Sequence, residues 1–236
     1  MRIAICIDFD NLLPHHKSDG VRKTIEKILQ TCVNLNNTKA TCEIRIYGGW
    51  YEEKVMTKLA QKISTEIQND FPAIFRVSMR DKQICIITST AQLAVALIEE
   101  PNHHLFSTYR RKGKPSNIRV EMPSNIGCSN SSCILPMAKK LLQTGRCSNP
   151  SCTTSSDSLV YRHEQKIVDT MLACDLIYLC KQKYENIIIV SSDDDFLPPI
   201  RTAMLSGSKV IRVHTKSNQY RSEIRIAGSK LIEMDI

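Results

Sequence analysis

Residues 2–11 carry five consecutive apolar positions, Ile3, Ala4, Ile5, Cys6 and Ile7, that run directly into Asp8. An unbroken apolar run with polar residues at its ends predicts a strand covered on both faces, as in a parallel sheet. Residues 12–20 read as a loop. Residues 21–35 place Ile25, Ile28, Leu29, Cys32 and Val33 at helical spacing. Alternation over 40–48 predicts a second strand, ended by Gly48-Gly49. Residues 51–69 are amphipathic, with Val55, Leu59, Ile63 and Ile67 on one helical face, and Pro72 closes that helix. Residues 73–79 and 83–88 read as two strands of a hairpin around Arg80-Asp81-Lys82, and 90–99 as another helix.

The strand and helix rhythm then lapses. Between 102 and 157 lie many serines and asparagines, a basic run and four paired cysteines. Regular patterning returns with a helix over 159–182, whose apolar face includes Ile167, Val168, Met171, Leu172 and Leu176. A short β-branched strand over 186–190 ends at Ser191-Ser192-Asp193-Asp194-Asp195. Pro198 and Pro199 suit the first turn of a helix reaching Leu205, and 209–214 is one more strand. The segment after Asn218 gives no clear element. The expectation is an α/β domain, 1–101 with 159–236, interrupted by an insertion over 102–158. A structureless loop of that length is unusual, so the insertion needs its own source of order.

The carboxylates change this picture most. Ligands of open α/β sheets gather beyond the carboxyl ends of the strands. Asp8 and Asp10 end the first strand, and Asp193, Asp194 and Asp195 end a later one, with Asp169 and Asp175 on the helix between. Six residues apart on a helix, Asp169 and Asp175 differ by about 120° in direction. Clustered carboxylates repel each other unless a cation joins them, and Mg²⁺ or Mn²⁺ prefers oxygen ligands. Asp10 competes as a loop cap, and Asp194 has the weakest claim of its triplet. The net charge of +8 favours a polyanionic partner. Acidic clusters on a basic chain suggest metal-assisted chemistry on a phosphodiester.

Three motifs together resemble the NYN family, a branch of the PIN-like nucleases. Asp8-Phe-Asp10-Asn11 resembles its opening Asp-x-x-Asn, and Lys166-Ile-Val-Asp169, with Asp175 six residues on, its helical motif. Ser191-Ser-Asp193-Asp-Asp195-Phe196-Leu-Pro198 resembles its Ser-Gly-Asp-x-Asp-Phe-x-Pro signature. Ser192 stands where the family usually has glycine. The resemblance implies a Rossmann-like, mostly parallel sheet flanked by helices, and ribonuclease activity with Mg²⁺ or Mn²⁺. It implies Asp8, Asp169 and Asp193 as main metal carboxylates, with Asn11, Asp175 and Asp195 completing the surroundings. A homodimer is compatible with it.

Cys128-Ser-Asn-Ser-Ser-Cys133 and Cys147-Ser-Asn-Pro-Ser-Cys152 are near copies. Cysteine pairs at this spacing fall within the range of structural zinc sites, and zinc would supply the order that the insertion lacks. Two disulfides are the competing reading. Arg110, Arg111, Lys112 and Lys114, next to Tyr109, are candidates for holding RNA phosphates and stacking a base. A solvated basic loop accounts for them nearly as well. The chain has no apolar stretch long enough to cross a bilayer and no secretory pattern at its start, so a cytoplasmic protein is expected.

Two rival functions remain at this point. Asp8-Phe-Asp10 also resembles the nucleophile pair of haloacid-dehalogenase-like phosphatases, against which stand Leu12 and the expected loop before Lys166. The other is a nuclease fold that binds RNA or protein without cutting.

Overall fold

In the computed structural model of the chain, residues 1–32, 38–78, 83–113, 130–147, 149–216, 221–226 and 228–236 are described. They divide into two compact units, Met1–Thr108 with Gln165–Ile236, and Tyr109–Glu164. These breaks fall a few residues beyond the 102 and 158 expected from sequence.

The first unit begins with β1 (Arg2–Asp8), buried at every position after Arg2. It continues through α1 (Pro14–Asp19), α2 (Val21–Cys32), β2 (Lys39–Tyr47) and the small hairpin β3 (Tyr51–Glu52) and β4 (Val55–Met56). Then come α3 (Lys58–Asp70), β5 (Ala73–Ser78) and β6 (Ile84–Leu93). The second unit contains β7 (Tyr109–Gly113), α4 (Leu135–Thr144), α5 (Ser156–Leu159) and most of β8 (Tyr161–Gln165). The chain returns to the first unit with α6 (Val168–Cys180), β9 (Asn186–Val190), α7 (Leu197–Leu205) and β10 (Val210–His214), and closes with β11 (Arg225–Ile226), β12 (Ser229–Lys230) and β13 (Ile232–Asp235).

Seven strands form one sheet in the order β13-β10-β9-β1-β2-β6-β5. All its pairs are parallel except β5 with β6. Strand order reverses at β1, which lies between β2 and β9. Ile3, Ile5 and Ile7 join a core with Ile25, Ile28 and Leu29 of α2 and Ile63 of α3. Ala4 and Cys6, on the other face, pack with Leu172 and Leu176 of α6 and Ile200 of α7. Full burial of each large aliphatic side chain contributes about 1.5–3 kcal/mol. The double covering of β1 explains its unbroken apolar run.

Several expectations are corrected. Residues 90–99 are no helix: β6 runs on to Leu93, because Glu43 and Arg45 of β2 pair with Thr90 and Gln92. The helix expected over 51–69 starts only at Lys58, where the Thr57 hydroxyl accepts a hydrogen bond from Ala60 N–H at 3.2 Å. Val55 and Leu59, assigned to its apolar face, are exposed, and Ala60 takes their place beside Ile63 and Ile67. The helix expected over 159–182 is α6 alone, preceded by β8, and Ile167 is exposed ahead of it. Residues 12–20 contain the short helix α1. β13 adds a parallel edge strand that no sequence pattern indicated.

Candidate active site

Parallel register builds the site. Ile7 of β1 lies opposite Val190 of β9, so Asp8 and Ser191 leave the sheet side by side. The buried Ser191 hydroxyl donates to Asp8 Oδ2 at 2.8 Å and accepts from Asp193 N–H at 3.1 Å. Asp193 in turn accepts from Asp195 N–H through Oδ1 at 3.0 Å, capping a short 3₁₀ turn. One serine thus ties two carboxylate-bearing strand ends together.

Ser192 forms a second tie. Its N–H donates to Asn11 Oδ1 at 3.2 Å, and its hydroxyl accepts from Thr215 N–H at 3.0 Å. Thr215 Oγ1 donates to Asn11 O at 2.7 Å, so Ser192 must be the donor in the 3.2 Å contact between the two hydroxyls. Among the described non-glycine residues only Glu53, Ser107 and Ile167 take positive φ. Ser192 therefore meets no strain in the position expected to hold glycine, and its hydroxyl locks β1, β9 and β10 together at their carboxyl ends.

Around these ties lies an open cleft of about 310 Å³, lined by Asp8, Asp10, Asn11, Gln165, Asp169, Asp193 and Lys216. Burial pushes the Asp8 carboxyl up to about 6; the Ser191 hydrogen bond opposes this, and the charges of Asp169 and Asp10 add to it. Asp169 is also raised, first by the surrounding protein and then by Asp193, Asp195 and Asp10. Asp10 is raised by burial, while Lys17 and Gly49 N–H hold it down. Gly49 follows β2, where Trp50 folds back so closely on Gly48 that a Cβ there would meet the indole at 2.7 Å. Asp10 thus meets the turn after β2 and also lines the cleft.

The structure thus brings Asp8, Asn11, Asp169 and Asp193 to one cleft. Asp175 does not join them. It is fully buried on the opposite side of α6, accepting from Tyr47 Oη at 2.8 Å and Ile98 N–H at 2.8 Å, with Arg45 Nε at 3.3 Å. Its assignment as a metal ligand is corrected to a structural ion pair, and the 120° divergence from Asp169 is the reason. Asp195 is exposed and does not line the cleft, although its charge reaches Asp169. Asp194 pairs with fully buried Arg212 at 3.0 Å, and Arg212 Nε also donates to Ser191 O at 3.2 Å.

Gln165, Lys216, Arg212 and Thr215 were not singled out from sequence. Gln165 Nε2 is buried in the cleft with no hydrogen-bond partner among the described residues. Lys216 brings a cation to the same space. These two donors and the carboxylates match a phosphate ester held beside a divalent cation. Among the described residues no group of three or more His, Cys, Asp and Glu side chains is gathered closely enough to hold a metal ion by itself. Mg²⁺ usually keeps several waters and takes one or two carboxylates, so the open acidic cleft fits such an ion.

The insertion repeats its sequence in its turns. Asn130 Oδ1 accepts from Ser132 N–H at 2.9 Å, as Asn149 Oδ1 accepts from Ser151 N–H at 3.1 Å. Cys133 and Cys152 each donate N–H to the asparagine carbonyl three residues before, at 3.0 Å. Hydrogen bonds from Thr154, and then from Cys147, lower the pKa of the Cys152 thiol. Cys133, Cys147 and Cys152 nonetheless form no gathered metal set, and Cys128 lies outside the described residues. Arg110, Arg111 and Lys112 are exposed on β7, and Lys114 lies outside the described residues.

Residues 149–235 match the NYN domain. NYN domains are a PIN-like ribonuclease family, and the mostly parallel sheet between helices is consistent with that fold. The NYN match spans Asp169 and Asp193 and stops short of the Asp8 motif, which only the three-dimensional cleft joins to it. No curated protein and no solved structure matches the chain. The phosphatase rival loses one objection and gains another. A strand, β8, does precede Lys166, but Lys166 does not line the cleft that holds Asp8.

Proposed function

We propose that this chain is a ribonuclease that hydrolyses RNA phosphodiester bonds with a divalent cation. The observation that carries the reading is the convergence of Asp8, Asp169 and Asp193 on one cleft at the point where strand order reverses. Directly or through its waters, these three would hold Mg²⁺ or Mn²⁺, which when bound acidifies water and neutralises charge developing on phosphate. Asn11 positions the Ser192 turn, and Ser191 orients the Asp8 carboxylate. Lys216 and the Gln165 Nε2 group, which has no hydrogen-bond partner among the described residues, supply donors for phosphate oxygens. Asp8, raised to about 6 without a cation, is still ionised at neutral pH and so is charged for cation binding.

Arg110, Arg111 and Lys112 would hold the RNA backbone. The insertion's paired cysteine turns support a structural zinc reading that includes Cys128, Cys133, Cys147 and Cys152. Zinc retained through purification at about one per chain supports it, and metal-free protein with an ordered insertion contradicts it.

The test of the main proposal is digestion of a labelled RNA with added Mn²⁺ or with EDTA. Products that appear only with the cation support the proposal. RNA bound but never cut, under any divalent ion, returns the chain to the class of binding modules.

A further inference from the structure

The second unit is unlike the rest of the chain in charge. Residues 109–164 hold nine Lys and Arg against three Asp and Glu, six of the chain's eight net positive charges. On its two neighbouring strands, β7 and β8, aromatic and cationic side chains interleave. Tyr109 stacks on His163 with ring centroids 4.9 Å apart and planes 11° from parallel. His163 meets Tyr161 edge to face at 5.7 Å, and the Arg111 guanidinium lies 3.8 Å above the Tyr161 ring. Residues two apart on a strand share a face, so these four side chains form one continuous ladder. Arg111, Tyr161 and His163 are exposed, with 48% of Tyr161 open to solvent. On the alternate positions Glu164 is matched by both Arg162, at 2.9 Å, and Lys112, at 3.3 Å, which leaves the ribbon cationic.

A pair of short strands gains from such cross-strand contacts. A purely structural role would nevertheless be served by apolar pairs, without two exposed aromatic rings and an exposed arginine plane beside further positive charge. Aromatic rings stack bases of any sequence, arginine planes do the same, and the surrounding cations hold phosphates. We propose that the Tyr109, His163, Tyr161 and Arg111 ladder is a stacking platform for the bases of single-stranded RNA. The choice of RNA as the ligand rests on the ribonuclease reading. A duplex keeps its bases stacked on one another and hides the faces that such a ladder takes up.

The test uses the full chain in EDTA, so that binding is read apart from cleavage, with a short labelled RNA alone or annealed to its complement. The single strand should bind more tightly, and Tyr161→Leu or His163→Leu should weaken it about tenfold. Tyr161→Phe, which keeps the ring, should bind like the unaltered chain; this separates stacking from simple damage to the fold. A 4-thiouridine RNA should crosslink to the peptide containing Tyr161 and His163, a readout that needs no variant. Equal affinity of Tyr161→Leu, preference for the duplex, crosslinks confined to other peptides, or no RNA binding at all would overturn the platform. Cation-dependent cutting with unchanged Tyr161→Leu affinity defeats the platform and leaves the nuclease standing. Ladder-dependent binding without cutting does the reverse.

Discussion

The Ser191 hydroxyl reaches the Asp8 carboxylate at 2.8 Å across 183 residues of chain. That bond exists because β1 and β9 run parallel and in register, so their last residues emerge together. It brings the first and last of the three acidic motifs together; the Asp8 and Asp169 carboxyls are raised there by burial first and by neighbouring carboxylate charge second, with the Ser191 bond opposing the rise at Asp8.

A site of this kind stores free energy. Burial lifts Asp8 from 3.8 to about 6, so folding favours its protonated form. That contribution is complete below about pH 4 and is lost as the pH rises through about 6. A shift of roughly two units corresponds to about 2–3 kcal/mol in protein without divalent cation. Asp8→Asn, which removes the charge and keeps a hydrogen-bond acceptor for Ser191, should therefore melt higher than the unaltered chain at pH 7.5 in EDTA. The two should converge near pH 4. Thermal melts across this range decide it, and a variant that melts lower at pH 7.5 goes against the burial argument.

Ser192 offers a second check. Its hydroxyl joins Thr215 and accepts backbone N–H groups where the NYN signature has glycine. Ser192→Gly should cost about 1–3 kcal/mol, because buried donors lose their acceptor. Denaturant unfolding measures this directly. A gain in stability would mean that the loop wants the freedom of glycine after all.

Asp175 should behave as structure and not as chemistry. Removing one partner of a buried ion pair costs about 3–5 kcal/mol. Asp175→Asn and Arg45→Met should each lower stability on that scale, while any folded variant retains its affinity for Mn²⁺. Calorimetric titration of Mn²⁺ into Asp175→Asn separates the roles, and loss of cation binding in a well-folded variant would restore Asp175 to the metal site.

Much of this was legible in the chain. The apolar run of β1 and the aspartates at two strand ends signalled a covered parallel sheet with its chemistry at the carboxyl edge. What stayed hidden depended on long-range pairing. Residues 90–93 look helical alone and become strand because β2 lies beside them. The alternation Tyr161, Arg162, His163 was absorbed into an overlong helix, and with it went the aromatic ladder. Gln165, Lys216 and Arg212 belong to no motif; only the folded cleft and the buried contact with Ser191 O give them meaning. The 120° between Asp169 and Asp175 is legible in the sequence, but the ion pair that Asp175 meets on its own face of α6 is not.

The central claim is that Asp8, Asp169 and Asp193 act as one cation-holding set on RNA. The most direct measurement is the single-turnover cleavage rate of a labelled RNA across a Mn²⁺ titration, for the unaltered chain, Asp169→Asn and Asp193→Asn. Cleavage should rise with Mn²⁺ and vanish in EDTA, and each variant should fall by at least about 100-fold while still binding RNA. Cutting that is indifferent to the cation, or Asp193→Asn working at the unaltered rate, would contradict the account.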